Sequence, residues 1–284
     1  MTSRTPKASA RLVRSFRKLS NIPGWQRLAE ALVGTQTDSA FLVENDGIKF
    51  EGRLDSFIDR RVYLFGGYEE QNIKAFLDFV PHERRNIALD VGANIGTHAL
   101  RFAQYFSRVH AFEPNPDVFR QLQSNAELNQ LPLTNHPIGL ADSNALLDFH
   151  LTEHPNAGLG TFSKDEQYDV PIQVIGKARV VRADDYLTDC LIGRVDAVKI
   201  DIQGFEPAAL RGMREILRDN RPFIWLEVGA STLSQLGSRE LLGELIPFPF
   251  TLLQFETNRP FRSARLVVTN DDALSARDYV VAPL

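Results

Sequence analysis

A glycine turn and a few carboxylates carry the chemistry this chain can do. Leu89-Asp90-Val91-Gly92-Ala93-Asn94-Ile95-Gly96 reads as an apolar strand ending in an acid, then a glycine turn, then the start of a helix. Glycines at 92 and 96 let backbone pass close to a ligand, or adopt conformations that a Cβ forbids. Glu113, in His110-Ala111-Phe112-Glu113-Pro114-Asn115, follows Gly96 by 17 residues and ends the next apolar strand. A carboxylate there accepts both hydroxyls of a ribose in nucleoside-binding folds. A dinucleotide site would want G-x-G-x-x-G, with a helix N-terminus facing the pyrophosphate. Gly92-Ala93-Asn94-Ile95-Gly96 lacks that spacing, and Asp90 would repel a pyrophosphate while pairing with a cationic amino-acid group. The turn therefore favours S-adenosylmethionine over NAD.

The elements that must hold these residues alternate between strand and helix. Residues 87–91 form an apolar run of the kind buried on both faces of a parallel sheet. Residues 97–106 are helical, with Ala99, Phe102, Ala103 and Phe106 on one face. A strand at 109–112 precedes Pro116, which suits the first position of the next helix. Leu147, Phe149 and Leu151 alternate in a further strand, and 197–202 is another. A helix over 207–218 leads to a strand at 223–228, and two late strands lie near 251–255 and 279–282. Upstream, Phe41-Leu42-Val43 and Ile48-Lys49-Phe50 flank Asn45-Asp46-Gly47 as a hairpin, and a helix runs from about 69 to 80. The pattern predicts an α/β protein, doubly wound and mostly parallel, with helices on both faces of the sheet. Residues 1–20 read as a basic tail, 21–80 as an N-terminal α+β cap and 81–284 as the main domain.

Three segments in this order, Asp90-Val91-Gly92-Ala93-Asn94-Ile95-Gly96, Ala111-Phe112-Glu113-Pro114-Asn115-Pro116 and Lys199-Ile200-Asp201-Ile202-Gln203-Gly204-Phe205-Glu206, resemble the FkbM family of class I methyltransferases. The resemblance runs from about residue 67 to 228, with Tyr68-Glu69 upstream and Leu226-Glu227 downstream. It implies a seven-stranded Rossmann-like methyltransferase sheet and an S-adenosylmethionine-dependent enzyme. It further implies transfer to a hydroxyl of a sugar, glycoconjugate or natural product. Asp90, Gly92, Asn94 and Gly96 would then form the methionine and ribose side of the pocket, with Glu113 on the ribose hydroxyls. Asp142 would meet the adenine edge, although an Asp beside Ser143-Asn144 also suits a plain turn. Glu69, with Tyr68, would contact the cofactor from the cap, and His154 and Asn156 would contact the acceptor from a covering loop. Gln203 stands where the family often has Glu, which removes a charge from that position.

Methyl transfer needs the acceptor oxygen aligned in line with the methyl group at near-attack distance. A base must also take a proton from a barely acidic hydroxyl. Asp201, Glu206 and Glu227 are the candidates, because strand ends and the loops after them line the cleft of such a sheet. Glu227 sits in an otherwise apolar strand, where an unpaired carboxylate is costly to bury; Lys199 is its expected structural partner. Glu206 precedes Pro207 at a helix start, where an acid also suits the helix dipole. His98 is expected on a helix surface. No metal site is expected; Asp201 with Glu227 holding one magnesium ion is the alternative. Two other readings of the whole chain compete with the transferase: an NAD(P)-dependent sugar-nucleotide oxidoreductase and a non-catalytic scaffold that keeps the fold.

Composition bounds these readings. The chain has 284 residues, 43% of them hydrophobic, and one cysteine, Cys190, which excludes an internal disulfide. No apolar run approaches the ~20 residues that cross a bilayer and no secretory signal is evident, so a soluble, cytoplasmic protein is expected. The first twenty residues hold six bases (Arg4, Lys7, Arg11, Arg14, Arg17, Lys18) and no acid, leaving 26 basic against 36 acidic residues in the rest. That acidic body disfavours nucleic acid as a partner and leaves a small-molecule or glycan acceptor. Leu12, Phe16 and Leu19 would form an apolar stripe on a helical tail, which suits weak contact with a membrane surface; a loosely docked tail is the plainer alternative.

Overall fold

The computed structural model describes residues 6–17, 24–33, 39–152, 160–162, 172–190, 193–258 and 263–284. The N-terminal layer comprises α1 (Ala8–Ser15), α2 (Trp25–Val33), the hairpin β1 (Ala40–Asn45) and β2 (Ile48–Arg53), α3 (Phe57–Phe65) and α4 (Glu70–Phe79). The main sheet begins with β3 (Ile87–Val91), α5 (Thr97–Phe102), β4 (Arg108–Phe112), α6 (Pro116–Asn129) and β5 (Leu133–His136). Next come β6 (Gly139–Ala141), β7 (Ala145–Thr152), β8 (Gly160–Thr161), β9 (Ile172–Arg182) and α7 (Ala183–Asp189). The chain returns to the main sheet through β10 (Ala197–Ile200), α8 (Glu206–Gly212), α9 (Arg214–Asn220) and β11 (Phe223–Val228). It closes with α10 (Ala230–Gln235), α11 (Arg239–Leu245), β12 (Phe250–Asn258), β13 (Ser263–Val268) and β14 (Arg277–Pro283).

The main sheet has the order β13-β12-β14-β11-β10-β3-β4-β5. The five strands from β11 to β5 are parallel, and β14, β12 and β13 are antiparallel. It is the expected α/β sheet with one strand more than the seven anticipated, because the chain hairpins from β12 into β13 at the edge. Alternate residues of β3 enter different cores: Ile87, Leu89 and Val91 pack with Leu210, Met213 and Leu217 of the α8–α9 region, while Ala88 packs with Ile73, Phe76 and Phe102 of α4 and α5. Both faces are covered, which is why these strands read as continuous apolar runs.

Two expectations about elements are corrected. The strand near 147–151 does not join the main sheet but pairs with β9 and β8 in a separate sheet of order β6-β9-β7-β8. The helix expected over 207–218 is two helices meeting at Met213, where α8 passes so close to β6 that a Cβ on Gly212 would collide with the Ala141 carbonyl. The first helix of the basic segment packs onto the cap. Ala10 and Val13 of α1 are buried in the cap cluster, and the Arg14 guanidinium donates to the Tyr63 carbonyl and to Asn45 Oδ1.

The cap is fixed to the sheet layer by polar contacts to α6. Asn125 donates to the Ile95 carbonyl at 2.9 Å and accepts from Glu51 N at 2.9 Å. Gln121 donates to the buried Asp59 carboxylate at 2.8 Å, and burial raises the pKa of that carboxyl to about 6. Among the described residues no helix is long and apolar enough to cross a membrane.

Candidate active site

A cleft opens where β3, β4, β10 and β11 end. Gly92, Asn94, Glu113, Asp201 and Glu227 line it from the sheet, Thr97 and His98 from α5, Ile58 and Tyr68 from the cap, and Phe149 and Phe162 from the small sheet. Strand register builds it. Asp90, Lys199 and Trp225 lie abreast on β3, β10 and β11, on the side of Ala88 and Phe76. Two residues further along, on the same side, Asp201 and Glu227 come forward at the ends of their strands, and Asp278 of β14 is paired with Glu227.

At the donor end, the glycine turn is pinned from two directions. The N–H groups of Gly92 and Ala93 both donate to the Phe112 carbonyl at 3.0 Å. Gly92 has φ +84°, and a Cβ there would collide with the Asp201 carbonyl oxygen. Its glycine is therefore demanded by a neighbouring turn of backbone. Gly96, at φ +94°, lies against Leu122 of α6; it serves helix packing. Glu113 is buried, and each of its oxygens takes one backbone donor, Oε2 from Asn94 N at 3.0 Å and Oε1 from Asn115 N at 2.8 Å. Burial raises its pKa to about 7 against the pull of those two donors.

The other end holds a network of charges. Lys199 is buried and donates to Asp201 Oδ2 at 2.9 Å. Burial alone would lower the Lys199 pKa, but Asp201, Asp90 and Glu69 around it keep it charged. Burial likewise works against the Asp201 charge, and the Lys199 ammonium outweighs it, holding that carboxyl well below the usual range. Gln203, in the left-handed region at φ 51°, donates through Nε2 to Asp201 Oδ1 at 3.0 Å and to Glu227 Oε2 at 2.7 Å. The Asp201 charge and burial together drive the Glu227 pKa far above that of a free carboxyl. At neutral pH the pair thus holds one anion and one proton. Asp278 is also raised, to about 7, by burial and by Glu69 and Asp201.

Residues 90–257 match the methyltransferase FkbM domain, more than half of the chain. The chain belongs to the FkbM methyltransferase family. Hexuronic acid methyltransferase AglP of Haloferax volcanii is 30% identical over 148 residues, which cover 52% of this chain and 58% of AglP. The 2-O-methyltransferase NoeI of Sinorhizobium fredii is 27% identical over 192 residues, covering 60% of this chain and 74% of NoeI. A solved FkbM methyltransferase from Methylobacillus flagellatus is 16% identical, with a TM-score of 0.45, over 78% of this chain and 52% of that one. The match thus spans little more than half the length of AglP.

The cofactor of this FkbM chain is S-adenosylmethionine, and the residues present fit it. Each Glu113 oxygen has one backbone donor and keeps a second acceptor position for a ribose hydroxyl. Asp90 lies fully buried beneath the turn, where burial raises its pKa against the pull of the neighbouring Lys199 ammonium.

The other expected site residues divide. Gly92, Asn94, Glu113, Asp201 and Glu227 line the cleft; Asp90, Gly96, Glu69, Asp142 and Glu206 do not. Asp142 is exposed and ion-paired with Arg211 at 2.9 Å, so the turn-forming alternative describes it. Glu206 is spent on the chain itself: it accepts from Ile202 N and Gly204 N at 2.9 Å and from the Thr232 hydroxyl, which removes it as a base and makes it the brace of the Asp201–Glu206 turn. Glu69 sits behind the wall, 3.3 Å from His98 Nε2. Lys199 bonds Asp201, not Glu227. His98 is buried against Trp225 with its pKa lowered to about 3 by burial, a neutral ring rather than helix surface. His154 and Asn156 lie outside the described residues. The sequence reading missed the bridging role of Gln203, whose signal was the neutral amide between two acids. Among the described residues no cluster of three His, Cys, Asp or Glu is arranged to hold a metal.

Proposed function

We propose that the chain transfers a methyl group from S-adenosylmethionine to a sugar hydroxyl, with Asp201 receiving the hydroxyl proton. The observation that carries this is the Gln203 amide joining Asp201 to Glu227 at the cleft edge, beside a buried Lys199 that fixes which of the two is ionised. Bound in the cleft, the sulfonium supplies an already activated methyl group. What is left to the chain is alignment and the fate of one proton.

Asp201 is a weak base for a free hydroxyl, yet it suits this task. An oxygen that is forming a bond to carbon is far more acidic than the starting alcohol, so the proton moves downhill to a carboxylate late in the reaction. Glu227, which keeps its own proton at neutral pH, offers a donor to a second sugar oxygen. Gln203 holds the two carboxyls in fixed relation, beside the hydrogen bond that Glu227 makes directly to Asp201. Tyr68, Ile58, Phe149 and Phe162 line the walls, and their apolar faces match the C–H face of a pyranose while the acids meet its hydroxyls. AglP, a hexuronic acid methyltransferase, and NoeI, a 2-O-methyltransferase, support a sugar acceptor.

The test is incubation with methyl-labelled S-adenosylmethionine and a panel of neutral hexosides and hexuronosides. A base-stable labelled ether is expected, and Asp201→Asn should lower turnover by about a hundredfold or more with little change in S-adenosylhomocysteine affinity. A base-labile ester, a labelled amine or an undiminished Asp201→Asn enzyme would sink the reading.

A further inference from the structure

Helices α1 and α2 have two apolar sides, and only one of them has a partner in the chain. Ala10 and Val13 of α1 and Ala29 and Val33 of α2 are buried in the cap. On the outer side, Leu12 is 62% and Phe16 47% exposed, one turn apart, and on α2 Leu28 is 53% and Leu32 57% exposed, also one turn apart. Phe16 meets Trp25 edge-on, ring centroids 6.3 Å apart, which carries the apolar strip from one helix to the next. Because the inner sides are packed, these outward residues are held in place rather than being frayed ends.

The charge around the strip is of one sign. Arg11 and Arg27 are exposed beside it. The single acid in α2, Glu30, is taken by Arg61 at 3.1 Å, and α1 has none. A second copy meeting this face with the same face, as a two-fold contact requires, would set Arg11 and Arg27 against their own copies. An anionic lipid surface meets both demands: headgroups for the cations and the interfacial layer for Leu12, Phe16, Leu28 and Leu32. We propose that the α1–α2 hairpin seats this protein on an anionic membrane surface. Arg61, which bonds Gln26 and Glu30 of α2, lies over the ring of Tyr68 at 6.0 Å. One side chain thus separates the seated hairpin from the cleft wall.

The test uses the full chain with vesicles of phosphatidylcholine alone or mixed with phosphatidylglycerol. Sedimentation with the mixed vesicles is expected, weaker by about tenfold or more without the anionic lipid and reversed by high salt. The exposed double variant Leu12→Glu with Leu28→Glu should lose vesicle binding by tenfold or more while its S-adenosylhomocysteine thermal shift stays as in the parent. Arg11→Gln with Arg27→Gln should weaken only the anionic-vesicle arm. The proposal is overturned if the parent does not sediment with anionic vesicles or if the leucine variant binds them equally. It is also overturned if the parent is a dimer in solution that the leucine variant splits, which would make the strip a self-interface.

Discussion

Glu113→Gln is the substitution with the clearest arithmetic. Burial raises the Glu113 pKa to about 7, so the carboxyl we propose accepts two ribose hydroxyls is half protonated in the free protein at neutral pH. Apparent affinity scales with the competent fraction; about a tenth of the carboxyl is ionised at pH 6 and about nine tenths at pH 8. Affinity for S-adenosylhomocysteine should therefore rise on the order of tenfold from pH 6 to pH 8, with proton release on binding at the lower end. The glutamine keeps one acceptor and loses the charge, so the slope should vanish. Affinity at pH 8 should then fall by one charge-assisted hydrogen bond, about 1.5–3 kcal/mol or roughly ten- to a hundredfold. Isothermal titration in two buffers of different ionisation heat reads all three quantities. The same shift has a sign for folding: a carboxyl whose pKa is higher folded than unfolded stabilises while protonated. Its contribution is thus present below about pH 4.5 and is lost as pH rises through about 7, by at most about 3 kcal/mol. Parental affinity that is flat from pH 6 to 8, or a glutamine variant with the parental slope, would refute the assignment of Glu113 to the ribose.

Gly92→Ala should destabilise the chain by about 2 kcal/mol or more, since a left-handed alanine costs 1–2 kcal/mol before the collision with the Asp201 carbonyl is counted; a urea midpoint equal to the parent's would show the two turns to be independent. Glu206→Ala strands two backbone donors of the Asp201–Glu206 turn, at about 2–5 kcal/mol, and Glu206→Gln should recover part of that; unfolding data in which both variants match the parent would return Glu206 to the list of bases. Asp142→Ala removes an exposed pair with Arg211 worth less than about 1 kcal/mol and should leave S-adenosylhomocysteine affinity untouched; a tenfold loss in titration would place it at the adenine after all.

Much of the donor half was legible because its signals are local. Strand β3 was placed at its observed bounds by burial on both faces, and the β1–β2 hairpin by its Asp46-Gly47 turn. Glu113 was placed by its distance from the glycine turn. What the sequence hid depends on register between distant strands. Lys199 sits beside Asp90 across the β10–β3 pairing yet bonds Asp201, two residues along its own chain, rather than Glu227 from the adjacent strand. His98 follows the turn at a position that reads as helix surface until the cap covers it. The small sheet depends on β9, which alternates exposed Lys177 and Arg179 with buried Ala178 and Val180, the period of a half-buried strand that the sequence reading passed over. Asp142 and Glu206 were misplaced for one reason: an acid in a turn serves the turn as readily as a ligand.

The backbone contact between Gly92 and Asp201 has a consequence for how the family diversifies. The glycine turn and Asp201 are held together by main chain, without any side chain that drift could remove singly. Ile58 and Tyr68 come from the cap and Phe149 and Phe162 from the small sheet, both outside that lock. New acceptors are then reached by exchanging walls over a fixed floor, and a graft of cap and small sheet from one relative onto the sheet of another should carry acceptor preference with it and leave methyl-donor affinity behind.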